Sequence, residues 1–84
     1  VPAPKKPRNT AAEDAAVQRF GSNMRAAREA AGLSQEAVAL EADIPQGHYS
    51  RIERGEVEPS MRVLVRIAAA LHTTLRDLTD GVGL

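Results

Sequence analysis

The chain has no cysteine and no tryptophan, and one phenylalanine and one tyrosine among 84 residues. Without thiols, neither a disulfide framework nor a thiolate zinc site can supply stability, and two isolated histidines are too few for a metal cluster. No cofactor is expected. No apolar run approaches the roughly 20 residues that span a bilayer, and no signal-peptide core lies near the start, so the sequence reads as a soluble intracellular protein without a membrane partner. Strand-like alternation is missing too. The apolar content is mostly Ala, Val, Leu and Ile, which suits small close-packed helices. An excess of charge of either sign is also lacking, since 11 basic residues balance 11 acidic ones. Such a balance argues at first against a nucleic-acid partner. Distribution outweighs the sum: Lys5, Lys6 and Arg8 crowd the leading segment, while Glu36, Glu41, Glu56 and Glu58 lie between the helical segments, which leaves room for a local positive face. At this length one core only just offsets the entropy of folding, and a partner would help.

Residues 1–9, VPAPKKPRN, hold three prolines and three cations and have almost nothing to bury, so they read as a flexible basic arm. Thr10 and Glu13 have capping-box spacing, and a first helix follows with Val17, Phe20, Met24, Ala27 and Ala31 as its buried stripe. Gly32 is placed to end it. Gly21 inside it costs about 1 kcal/mol relative to alanine, so a break there is the alternative. Ser34 caps a second helix that runs to about Glu41 or Ala42. Pro45 forces a tight turn at ADIP, and a third helix runs from about Gln46 to Arg54 until Gly55 stops it. Ser60 caps a fourth helix, with Val63, Leu64, Ile67, Ala68 and Leu71 inward, and Thr74 with Asp77 opens a short fifth. The expected division is an arm at 1–9, a domain at 10–78 and a tail at 79–84.

On a helical projection of the third segment, Ile44, Tyr49 and Ile52 fall on one side, and Gln46, Gly47, Ser50, Arg51 and Arg54 on or near the other. The second set has the chemistry to read DNA. A glutamine amide both donates to and accepts from adenine, an arginine forks onto guanine, and serine bonds to phosphate or base. Gly47 lets the backbone come close, and the helix start at Gln35 suits a phosphate oxygen. His48 invites a catalytic reading, but its helix neighbours do not face it and no carboxylate is placed to orient the ring, so no enzyme activity is expected.

The run LSQEAVALEADIPQGHYSRIERG, with MRAAREAAG before it and PSMRVLVRIAAAL after it, resembles the helix-turn-helix domain of the Cro and C1 phage repressors and the larger Xre group of bacterial regulators. The similarity covers Phe20 to about Leu78. It implies an all-α, five-helix, lambda-repressor-like fold in which Gln35 clamps a phosphate and Gln46 touches a base edge. Pro45, Gly47, Ser50, Arg51 and Arg54 complete the surface toward double-stranded DNA. Arg28 and Glu53 match a family salt bridge between the first helix and the end of the recognition helix. Three positions depart from the pattern: Asp43 and His72 stand where glycine is usual, and Pro45 replaces a Ser or Thr cap. The thin reading surface points to some specificity from DNA shape.

The implied function is a site-specific transcriptional regulator, most simply a repressor, in the bacterial or phage cytoplasm at the nucleoid. It would act as a homodimer on a palindromic operator, with the contact at Leu75, Leu78, Val82 and Leu84, where too little chain remains to cover apolar residues. Lys5, Lys6 and Arg8 would follow phosphates or enter the minor groove. The same residues leave other readings open: an antitoxin with a toxin partner, a restriction-modification controller, or a protein-interaction module on the same scaffold.

Overall fold

The computed structural model describes residues 10–83, which form α1 (Thr10–Ala30), α2 (Gln35–Ala42), α3 (Gln46–Glu53), α4 (Met61–Ala70) and α5 (Leu75–Leu78), with no strand among them. The all-α, five-helix architecture is the expected one. Lys5, Lys6, Arg8 and Leu84 lie outside the described residues.

Local chemistry sets the helix starts. Ser34, Ser60 and Thr74 each accept a hydrogen bond from the amide three residues on, from Ala37 at 3.0 Å, Val63 at 3.2 Å and Asp77 at 3.2 Å, which satisfies donors that the helix itself leaves unpaired. Asp43 (φ 57°) and His72 (φ 55°) adopt the left-handed conformation at the ends of α2 and α4. Both departures from glycine therefore keep the turn.

α1 runs unbroken through Gly21. A Cβ added there would lie 2.4 Å from the carbonyl oxygen of Glu53 and 2.9 Å from that of Ile52, so the glycine is where the backbone of α3 meets α1. α1 packs on α3 and α5, and α2 on α3 and α4. Met24, Val38, Tyr49, Ile52, Ile67 and Leu78 are fully buried, so every helix places a large side chain in one core.

The end of the chain is corrected by this packing. The Asn23 side-chain amide donates to the carbonyls of Leu78 at 2.9 Å and Asp80 at 2.8 Å, which ties the residues read as a tail to α1. Leu78 is 1% exposed and belongs to the core. It is covered by its own chain and has no surface to offer a second one. Leu75 and Val82 are half-buried against the same core. No helix of the described residues is long and apolar enough to cross a membrane.

Candidate nucleic-acid interface

α2 ends as a left-handed turn that re-aims the chain. The Ile44 amide donates to Ala39 O at 3.0 Å and the Asp43 amide to Leu40 O at 3.2 Å, closing the last carbonyls of α2. Pro45 is extended (φ −60°, ψ 141°) and α3 starts at Gln46, with no side-chain cap. The first-turn amides of α3 are therefore left without a capping acceptor, which makes them donors for an outside anion.

α3 is anchored on one side and open on the other. Tyr49, Ile52 and Glu53 are buried, whereas Gln46, Gly47, Arg51 and Arg54 are exposed and Ser50 and His48 are half-buried. Around Gly47 an added Cβ would meet nothing within 4 Å. Among the described residues, Gln46 and Arg51 have no side-chain hydrogen bond or ion pair. Ser50 and Arg54 behave differently. Arg54 Nη1 donates to Ser50 Oγ at 2.7 Å, and Arg54 Nε also pairs with the Glu56 carboxylate. Two residues expected to face DNA thus hold each other, and an acidic neighbour partly neutralises one of them.

A buried polar cluster holds α3 in place. Arg28 Nε donates to Glu53 Oε2 at 2.7 Å and Nη2 to Oε1 at 3.1 Å, while Nη1 donates to the Leu33 carbonyl at 3.0 Å. The side chains are 14% and 3% exposed. Gln35 Nε2 completes the set by donating to Glu53 Oε1 at 3.2 Å. One carboxylate therefore joins α1, the first turn of α2 and the end of α3. Burial alone would raise the Glu53 pKa, but the Arg28 hydrogen bonds, the neighbouring Tyr49 hydroxyl, the Gln35 hydrogen bond and the Arg28 charge hold it below the usual 4.5. The hydrogen bond to Glu53 raises Arg28 in turn, against the opposing effect of burial. Burial, then the nearby Glu53 carboxylate, pushes the Tyr49 hydroxyl far up. That hydroxyl is enclosed beside Glu53 without a well-formed hydrogen bond to any described group. Such a cluster orients helices more than it stabilises them, because desolvation offsets most of the attraction.

A helix-turn-helix family model matches residues 24–78. The chain belongs to the Cro/C1-type helix-turn-helix family of DNA-binding transcriptional regulators. It is 46% identical over 55 residues to an uncharacterized HTH-type transcriptional regulator, y4dL, of Sinorhizobium fredii, and that match takes in 66% of this chain but 28% of the relative's length. It is 39% identical over 65 residues to the control protein C.MunI of a Mycoplasma species, covering 76% of this chain and 88% of that protein. Among solved structures, the restriction-modification controller protein C.AhdI from Aeromonas hydrophila superposes with a TM-score of 0.74 at 33% identity, over 76% of this chain and 97% of that one. The clp gene regulator ClgR from C. glutamicum gives a TM-score of 0.75 over 96% of this chain and 97% of its own, and at 23% identity it speaks for the fold alone.

Within this helix-turn-helix chain, the family match opens at the core residue Met24 and closes at the core residue Leu78, so the first part of α1 lies outside it. Gly21 lies there, and its contact with the end of α3 was not read from the sequence. A glycine in mid-helix, disfavoured by about 1 kcal/mol, was the available signal. Leu40, Met61 and Val65, which stand exposed on α2 and α4, were also missed. Their signal was being apolar yet off the buried stripes.

Proposed function

We propose that the protein binds double-stranded DNA site-specifically as a homodimer and represses transcription from its own or a neighbouring promoter. One observation carries this reading: α3 is fastened to the core by Tyr49, Ile52 and Glu53 while Gln46 and Arg51 stand exposed on its other side and, among the described residues, unpaired. Gln46 would read an adenine edge and Arg51 would fork onto a guanine, with Gly47 allowing close approach. The open first-turn amides after Pro45, and the Gln35 N–H not given to Glu53, would take phosphate oxygens. Ser50 and Arg54 would join them once Arg54 exchanges Glu56 for a phosphate. Residues 10–78 are the DNA-binding unit in this reading, with Lys5, Lys6 and Arg8 as additional cations. The half-exposed Leu75 and Val82 supply apolar surface for the second copy, whose recognition helix would enter the next major groove about 34 Å away. The His48 side chain has no hydrogen-bonded partner among the described residues, and the protein acts by binding rather than catalysis, in the cytoplasm at the nucleoid.

A second reading, control of a restriction-modification system, is supported by the likeness to C.MunI and C.AhdI, which extends over nearly the whole length of both. It shares every residue role given above and differs in the gene regulated.

The test is a titration of the protein with its own promoter and with random duplex at two salt concentrations. Operator binding should exceed random binding by about a thousandfold or more, weaken steeply with salt, and saturate at two chains per palindrome. Gln46→Ala should lose about 1–3 kcal/mol at one base position. An unchanged sequence preference would remove Gln46 from the reading surface.

A further inference from the structure

The Glu53 carboxylate accepts from two helices at once. Its Oε2 takes Arg28 Nε at 2.7 Å, and its Oε1 takes both Arg28 Nη2 at 3.1 Å and Gln35 Nε2 at 3.2 Å. Arg28 is held in turn by the Leu33 carbonyl, to which Nη1 donates at 3.0 Å. Leu33 stands just before the start of α2, Arg28 near the end of α1 and Glu53 at the end of α3. The bonds therefore form a relay that leaves the chain at Leu33 and comes back to it at Gln35, the first residue of α2. Desolvation offsets most of the attraction in such a buried pair, so stability alone does not account for it.

The half-buried Gln35 amide has two unlike sides, an NH₂ that donates and a carbonyl that accepts. Glu53, paired with Arg28, is an ionised carboxylate and only accepts. It therefore admits the NH₂ side of Gln35 and repels the carbonyl side, because the amide turned by half a revolution would set two acceptors face to face. One N–H of that nitrogen goes to Glu53. The other remains for a ligand outside the fold.

We infer that Glu53 is a positioning residue for DNA binding: it fixes the Gln35 amide with its second N–H ready for a phosphate oxygen, and Arg28 fixes Glu53. This rests on the reading of Gln35 as a phosphate contact given above. Neither Arg28 nor Glu53 touches the phosphate in this arrangement, and both act through Gln35. A side chain already ordered before DNA arrives avoids the entropy of being immobilised on binding, which for a rotamer-rich residue is worth about two- to twelvefold in affinity.

The test is a double-mutant cycle on the full chain, read with a random duplex so that no base sequence is involved. Arg28→Met/Glu53→Met removes one charge of each sign, which leaves the net charge unchanged and strands no ion. At constant salt its affinity for the duplex should fall about two- to twelvefold, and that of Gln35→Met at least as far. In the Gln35→Met background the same Arg28→Met/Glu53→Met exchange should change affinity by less than about twofold. A purely structural role, in which the cluster only aims α3, would weaken binding by the same factor in both backgrounds. The side-chain amide of Gln35 gives a second readout by NMR without DNA: its two protons should be well separated in shift, with one protected from exchange. That parent spectrum needs no variant to fold. Equal loss in the two backgrounds, no loss in Arg28→Met/Glu53→Met, or parent amide signals like those of a solvated glutamine overturns the inference and leaves the DNA-binding reading standing. An unchanged affinity in Gln35→Met removes the phosphate contact itself, and the inference with it.

Discussion

Replacing Gly21 with alanine adds one methyl group, and it should destabilise the domain although alanine is the better helix former. In an unobstructed helix the exchange gains about 1 kcal/mol. Here the new Cβ would sit 2.4 Å from Glu53 O, 2.9 Å from Ile52 O and 3.0 Å from Glu53 C, all backbone atoms that cannot rotate away. α3 must back off from α1, and overpacking of this kind costs about 3 kcal/mol at the upper end of its usual range. The net loss is about 2 kcal/mol, or about 8–16 °C in Tm at about 4–8 °C per kcal/mol for a domain this small. Urea and thermal denaturation followed by far-UV circular dichroism measure it. Gly47→Ala is the matched control, also helical but with nothing within 4 Å of the new methyl, and it should gain up to about 1 kcal/mol. If Gly21→Ala proved as stable as the parent, the close approach of α1 and α3 would not be what the glycine serves.

The buried cluster makes two further predictions. Arg28→Met leaves the Glu53 carboxylate enclosed without its bidentate partner and should cost about 3 kcal/mol by urea denaturation, most of it recovered in Arg28→Met/Glu53→Met; a double variant no better than the single would refute the stranded-charge argument. Glu53 is held below the ordinary value of 4.5 in the fold, so its contribution is complete above that pH and is lost as the pH falls from there through the lowered folded value. The urea midpoint should fall across that window for the parent and fall less for Glu53→Gln. Parallel curves would show that another carboxylate governs acid unfolding.

Much of the fold was legible because its signals are local. Ser34, Ser60 and Thr74 cap helices through hydrogen bonds to amides three residues away, and Pro45 ends a turn through its own ring, so neither needs tertiary contact. The apolar stripe of α4 and the two faces of α3 follow from helical periodicity. The Arg28–Glu53 pair came from resemblance, since nothing in a spacing of 25 residues announces contact.

The amino-acid sequence on its own determined where the helices begin and end, which side of α3 is polar, and the family. Only the packing of α1 on α3 and α5, and of α2 on α3, decided that Gly21 must stay bare, that Gln35 gives a hydrogen bond to Glu53, and that Leu78 is core rather than surface. Capping and periodicity act between residues a turn apart, whereas burial and pairing depend on which helices meet, and that is settled by the whole core at once.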